Sequence, residues 1–309
     1  MASDNALAIE ISTSAVKLLG LTRHKRTEYQ LTHVSRHPYE SKTALTQVVK
    51  QALDAAGPRT SAATSIWAST MIIRKIGLPR LKPQEVAGAL QLEADKYVPF
   101  GLDECVMDHY LFPPDAQSAK TDVMLIAAKK DLILERCRFL EESGLKLQFM
   151  DIHPLALTNW LLLCRPESAK GIRVLVHIGD APGKVQGEDN FIVILKDGIP
   201  WVVRDLGDRF SAAEVSEESV AQTAALAANA MVFFENLAHD KPREILLSAD
   251  ESIAAKLIDA IEKASRLRPV RWSPGEKLTF ADDTVKNAFS PFETSFSTLL
   301  GTAARMLAS

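Results

Sequence analysis

The chain has 309 residues, of which 47% are hydrophobic and 24% charged. At roughly 150 residues per domain, that length predicts about two domains with buried cores. Thirty-six basic against 39 acidic residues leave a formal charge of -3. This excludes the broadly basic surface that nucleic acid requires, and the high net charge of long disordered chains. Cys105, Cys137 and Cys164 lie too far apart for a zinc motif or a disulfide framework. They are read as small buried hydrophobes. His33 and His37 have HxxxH spacing but fall on a predicted strand, without the glutamate of a zinc-binding helix, so no metal is assigned to them. The first residues lack the basic and apolar segments of a leader, and no run approaches the ~20 apolar residues of a membrane span. A cytoplasmic location without membrane insertion is expected.

In chain order, residues 7–21 read as strand, tight turn and strand, with Ser12, Thr13 and Ser14 in the turn. The basic run Arg23-His24-Lys25-Arg26 precedes a third strand near residues 29–35, and is read as a solvated hairpin tip or an anionic-membrane contact. Residues 43–56 have helical spacing and stop at Gly57-Pro58. Strands are predicted at 65–69 and 71–78, and a helix at 82–97 with Pro83 in its first turn. Residues 103–112 are extended, and 123–128 form a continuous apolar run read as a buried strand. A helix over 131–143 stops at Gly144. Then come a strand at 147–152 and a helix at 154–164. Residues 172–178 are a further apolar strand, and 191–195 and 200–204 form a hairpin around Asp197-Gly198. A long helix at 216–237, a strand at 244–247, a helix at 252–265 and a last helix after Pro291 complete the chain. Each half opens with an apolar strand that ends in a small-residue turn, then runs strand, strand, helix. Two similar α/β lobes are therefore predicted.

Two lobes, a turn of this kind in each and an insertion in the first resemble the actin-like ATPase superfamily. Four segments narrow the resemblance to the PilM family of type IV pilus assembly proteins, relatives of FtsA. Ala8-Ile9-Glu10-Ile11-Ser12-Thr13-Ser14-Ala15-Val16-Lys17-Leu18 resembles the family's I-D-I-G-S-S-S-V-K-L. Leu92-Glu93-Ala94-Asp95-Lys96-Tyr97-Val98-Pro99-Phe100 is similar to E-A-E-Q-Y-I-P-F. Val123-Met124-Leu125-Ile126-Ala127-Ala128-Lys129-Lys130, then Gly144-Leu145 and Met150-Asp151-Ile152-His153-Pro154-Leu155-Ala156-Leu157, resemble L-L-V-A-A-R-K, G-L and V-D-V-E-P-L-A-L. Val176-His177-Ile178-Gly179 and Arg204 stand in place of V-D-I-G and R.

The resemblance implies an α/β fold: two actin-like (ribonuclease H-like) lobes with an inserted α+β subdomain in the first. The first lobe is expected over residues 1–79, returning at 151–170, with the insertion at 80–150. The second lobe is expected at 171–290, and a C-terminal helix at 291–309 that packs back on the first lobe. The resemblance also implies a nucleotide site, and here this sequence departs from the family. Glu10 replaces the first aspartate, and its extra methylene displaces the carboxylate by about 1 Å, enough to cost catalysis heavily. Ser12 replaces a glycine. His177 replaces the second aspartate, although magnesium prefers oxygen ligands. Ser248-Ala249-Asp250 stands where a glycine pair is expected, and a carboxylate ~5 Å from a phosphate is repulsive by roughly 3 kcal/mol at an effective dielectric of 20. Lys17 and Gly179 are retained. Lys17 is read either as a phosphate contact or as an ordinary strand-edge lysine.

The sequence therefore predicts a degenerate ATP site, no catalysis and no resident cofactor, with magnesium-ATP binding left open as the alternative. The resemblance implies a scaffold that takes the N-terminal cytoplasmic tail of a PilN-like inner-membrane protein in the groove between the first lobe and its insertion. Tyr97, Pro99 and Phe100 are the insertion's surface candidates, or else they merely end a helix. Self-association stays open, as does a second machine, the type II secretion system, through its actin-like GspL domain.

Overall fold

Strand β1 (Asn5–Ile11) is apolar on both faces because both are covered. Ala6 and Ala8 face one core and Leu7, Ile9 and Ile11 face another, as a period of two requires. The computed structural model describes residues 4–12, 15–25, 27–39, 42–57, 61–66, 71–114, 119–179, 189–207, 210 and 215–308. The predicted turn residues Thr13 and Ser14, Arg26 of the basic run, and residues 180–188 lie outside them.

Antiparallel partners β2 (Ala15–Lys25) and β3 (Glu28–Pro38) extend β1 on one side. Parallel partners β4 (Ser61–Ile66) and β8 (Lys146–Ile152) extend it on the other. Helix α1 (Lys42–Ala56) follows β3 and buries Val49 and Ala52 against β1 and β2. The first-lobe sheet has the order β14-β3-β2-β1-β4-β8, where β14 (Leu278–Phe280) returns from far along the chain. The second lobe repeats the plan with β9 (Ile172–Ile178), β10 (Asn190–Lys196), β11 (Ile199–Asp205), β12 (Glu244–Ser248) and β13 (Val270–Arg271), in the order β11-β10-β9-β12-β13. The β10–β11 turn has φ +52° at Asp197 and +76° at Gly198. Two left-handed residues give the tight turn that the Asp-Gly pair predicts. Helices α5 (Glu217–Ala238) and α6 (Glu251–Ser265) pack on this sheet around Val174, Val176, Phe234 and Ile253.

A separate antiparallel sheet, β5-β7-β6, combines β5 (Ile72–Pro79), β6 (Cys105–Leu111) and β7 (Lys120–Lys129). Helix α2 (Pro83–Glu93) closes one face through Val86 and Leu90. These strand pairings move the expected boundaries of the insertion. It runs from about residue 72 to 129, because β5 pairs with β7 while β8 pairs with β4 in the main sheet. Helix α3 (Lys130–Glu142) already belongs with the first lobe, and its Leu140 packs with Leu7, Ile9 and Val49. The expected end of the second lobe moves too: β14 and α7 (Asp283–Phe289) join β3 before the last helix begins. The strand predicted at 65–69 coincides with the end of β4 at Ser65 and Ile66, its residues 67–69 lie outside the described residues, and β4 begins earlier, at Ser61. Small Ala62 and Ala63 are fully buried there, and their size hid them from a reading based on bulky residues.

Helix α4 (His153–Cys164) and the last helix, α8 (Glu293–Ala308), lie at the heart of the molecule. Leu157, Trp160, Leu299 and Ala303 share one core with Leu19 of the first sheet and with Leu175, Phe191 and Leu246 of the second. Gly301 allows the two helices to touch, since a Cβ there would stand 1.8 Å from the Ala156 carbonyl oxygen. No helix among the described residues is long and apolar enough to cross a membrane.

Candidate functional site

The register of β1 and β2 places Glu10 opposite Lys17. Glu10 shares a face with Ala6 and Ala8, so its carboxylate points toward α8, where Thr298 Oγ1 donates to Oε2 at 3.1 Å. Lys17 is 1% exposed and forms an ion pair with Glu10. Its ammonium also donates to the Ser295 carbonyl oxygen of α8 at 2.8 Å and stands 3.4 Å from Asp189 Oδ2. Asp189 immediately precedes β10, so this contact joins the two lobes. His153, the first residue of α4, pairs through Nδ1 with Asp189, and its Nε2 lies 3.8 Å from Glu10 Oε2. Four buried charged side chains thus meet where the lobes meet.

Their titration follows from this geometry. Burial alone works against a charged Lys17, but Glu10 and Asp189 outweigh it and raise its pKa. Burial likewise opposes a charged His153 ring, and Asp189 and Glu10 again prevail, so its pKa is raised. Burial opposes ionisation of Asp189, yet His153 and Lys17 hold its carboxyl below the usual range. Two cations therefore balance two carboxylates.

His177 is a different kind of residue. It sits on the face of β9 that carries Leu175, with Phe191 and Ser248 opposite it on β10 and β12. Its Nδ1 lies 3.1 Å from Ser248 Oγ, and its Nε2 accepts or donates at 3.2 Å with Ser297 Oγ of α8. Burial pushes its pKa down to about 3. The ring is neutral, doubly hydrogen-bonded and structural.

Each remaining member of the expected nucleotide site is likewise engaged within the chain. The Gly179 N–H donates to the Asp189 carbonyl oxygen and to Asn190 Oδ1, both at 3.1 Å. A Cβ at Gly179 would stand 2.6 Å from Asp189 Cβ, so the close approach requires glycine. Ser12 Oγ donates to the Ala15 carbonyl at 3.1 Å and accepts from its N–H at 3.1 Å. Asp250 caps α6: its Oδ1 accepts from Ser252 N at 3.1 Å. The helix N-terminus that would face an anion therefore carries its own carboxylate. Arg204 is occupied elsewhere, its guanidinium 4.8 Å from the Phe233 ring centre.

Glu10, His153 and Asp189 do bring three ligand-type atoms within 4.8 Å of one another. The Lys17 ammonium stands among them, and adding a divalent cation would leave net positive charge buried. The cluster as it stands thus does not fit a divalent cation by itself. Of the residues named from the sequence, the structure pairs Glu10 with Lys17 and His177 with Ser248, and it adds His153 and Asp189, which were not named as site residues. His153 had a visible signal, standing where the family motif carries glutamate. Asp189 had none, being one polar residue in a polar loop.

Among the surface candidates, Tyr97 and Phe100 pack against the insertion's own core around Val86, Leu90 and Val98, and Pro99 is exposed. A cavity of about 210 Å³ opens instead where the insertion meets the rest of the chain. Tyr110, Met124 and Ile126 form one wall, Asp151 and Leu155 another, and Ile199 of the β10–β11 turn a third. Asp151 is buried beneath it and pairs with Arg305 of α8 at 3.0 Å.

With this geometry in place, comparison with known proteins is informative. Residues 8–183 match the family model described as type IV pilus assembly protein PilM, more than half of the chain. A solved PilM–PilN type IV pilus biogenesis complex contains a chain that superposes with a TM-score of 0.79 at 19% identity, covering 99% of both chains. The cytoplasmic domain of EpsL, an inner-membrane component of the type II secretion system of Vibrio cholerae, matches with a TM-score of 0.49 at 12% identity, over 84% of this chain and 95% of that one.

Proposed function

Because the chain belongs to the PilM family of type IV pilus assembly proteins, we propose that it is a non-catalytic actin-like scaffold of such a machine. It holds the N-terminal cytoplasmic tail of a PilN-like protein at the cytoplasmic face of the inner membrane. One observation carries the non-catalytic part. Lys17, the side chain placed to meet a phosphate, is buried and already paired with Glu10 and Asp189. A triphosphate with a charge near -4 would have to displace both carboxylates and meet the Asp250 carboxylate as well. No step of hydrolysis is assigned.

The partner class rests on the family and on the solved complex of a PilM with a PilN, which shares this fold. The cavity beside Tyr110, Met124 and Leu155 supports the binding mode. It is apolar where a side chain of an extended peptide would anchor, and Arg305, half exposed at its edge, offers donors to the peptide's carbonyl groups. The test has two arms. Magnesium-ATP at 5 mM should leave the melting temperature unchanged and release no phosphate; a rise of about 4 °C or more, the effect of a dissociation constant near 50 μM, would refute a site closed to nucleotide, and phosphate release would refute the non-catalytic reading. A fluorescent peptide carrying the N-terminal segment of a PilN should bind saturably. Absence of binding by the full chain would refute the scaffold reading.

A further inference from the structure

We propose that Asp189 is a built-in anion: it takes the place of a bound phosphate against Lys17 and His153, and the chain thereby closes its two lobes without a ligand over a latent oxyanion site. The inference rests on the non-catalytic reading above and adds to it the group that fills the site.

Four observations carry it. First, Asp189 is the second lobe's contribution to a charge cluster otherwise built by the first lobe. It reaches Lys17 of β2 at 3.4 Å and pairs with His153 at the head of α4. Second, the backbone donor expected to face a phosphate is turned to the same segment, since the Gly179 N–H is shared between Asp189 O and Asn190 Oδ1. Third, all four charged groups are at most 3% exposed, so none is neutralised by bulk water and each must find its counter-charge inside. With Asp189 present, the cations Lys17 and His153 balance Glu10 and Asp189. Remove that one carboxylate, and the Lys17 and His153 nitrogens turned toward it lose their shared acceptor, with Glu10 the one carboxylate left facing both. Fourth, the apolar core around Phe191, Leu246 and Leu299 spans both lobes, so the cleft has a packed floor onto which an anion can close it. An ATP-dependent relative would complete its charge balance with nucleotide and metal. Here the balance is complete in the polypeptide.

Loss of Asp189 should therefore create a demand that a small oxyanion satisfies. The full chain carrying Asp189→Ala is compared with the wild type in a melting experiment, with sodium formate as the size-matched probe, inorganic phosphate as the larger one and sodium chloride at equal ionic strength as the control. The variant is expected to melt at least 5 °C lower. Formate or phosphate at 50 mM should recover half of that loss or more, chloride should not, and the wild type should shift by less than 1 °C with any of them. A variant as stable as the wild type, or recovery equal in chloride, overturns the proposal. Should the variant fail to fold, the wild type alone decides. With ¹⁵N-labelled lysine, Lys17 should give a slowly exchanging ammonium resonance that 5 mM phosphate or magnesium-ATP does not move, assigned by its loss in Lys17→Met. An absent or ligand-shifted resonance overturns the proposal. If the variant shows no rescue while the wild type ignores nucleotide and binds the PilN peptide, this inference alone fails. If the wild type itself hydrolyses magnesium-ATP, the non-catalytic reading fails with it.

Discussion

Lys17→Met is the perturbation that most directly weighs the buried cluster. Methionine matches the lysine stem in length and flexibility, so the change removes a charge and little packing. The groups left behind are Glu10, Asp189 and His153, a net single negative charge in a region at most 3% exposed. Breaking a buried ion pair by removing one partner costs about 3–5 kcal/mol, because the other charge stays desolvated and uncompensated. At about 2.1 cal/mol/K of unfolding entropy per residue, a chain of 309 residues has roughly 0.65 kcal/mol/K, and the loss becomes about 5–8 °C in melting temperature. Calorimetry at pH 7 reads it. Adding Glu10→Gln to the variant removes the stranded carboxylate and should return part of the loss, a coupling of about 1–3 kcal/mol between the two positions. A loss below about 1 kcal/mol, the size expected of an exposed pair, would refute the claim that Lys17 sits in a desolvated network. So would a further loss on adding Glu10→Gln.

Two histidines should set the pH dependence with opposite signs. His177 has a folded pKa near 3, below the ordinary 6.5, so its contribution is present above pH 6.5 and lost as pH falls toward 3, by about 2 kcal/mol already at pH 5. His153 has a raised folded pKa, so its contribution is full below 6.5 and lost as pH rises through that raised value. Urea midpoints measured from pH 5 to 9 should peak near 6.5, with His177→Asn flattening the acid side and His153→Asn the alkaline side. Gly301→Ala should cost about 3 kcal/mol or more, because the new methyl meets the Ala156 carbonyl at 1.8 Å and α4 and α8 cannot part without disturbing the shared core. A urea midpoint equal to wild type would show that the helices are not in contact. Tyr110→Ala, at a side chain 48% exposed on the cavity wall, should weaken the PilN peptide about tenfold while leaving the melting temperature unchanged.

Much of the fold was legible because its signals are local. Asp197-Gly198 makes its turn, Gly144 ends α3 with φ +88°, and the apolar runs of β1, β7 and β9 are strands covered on both faces. The echo between halves is physical, since each sheet pairs its first strand with an antiparallel neighbour on one side and a parallel neighbour on the other, and repeats that pairing one strand further out on each side. The boundaries of the insertion were not legible. Residues 130–152 look like a continuation of it, and only long-range pairing of β8 with β4 assigns them to the first lobe. In the site, the resemblance was enough to single out Glu10, Lys17, His177 and Ser248; that Glu10 faces Lys17 and His177 faces Ser248 is set by strand register. The resemblance was not enough to find Asp189, whose part is set by a tertiary contact 172 residues away in the chain.

That contact explains how the departures from the family pattern belong together. Taken one at a time, Glu10, His177 and Asp250 look like independent losses from a working site. In the folded chain each has a local partner: Glu10 has Lys17 and Thr298, His177 has Ser248 and Ser297, and Asp250 caps α6. Where the family motifs place aspartate, glutamate and aspartate beside a lysine, this chain has glutamate, histidine and histidine. Three acids and one cation leave a surplus of negative charge that suits a divalent ion. Here Glu10 pairs with Lys17, and Asp189 contacts Lys17 and sustains the charge of His153 against burial, while His177 stays neutral. The substitutions are compatible with a stable core because each finds its partner inside the chain, and one carboxylate carried by the second lobe serves both Lys17 and His153.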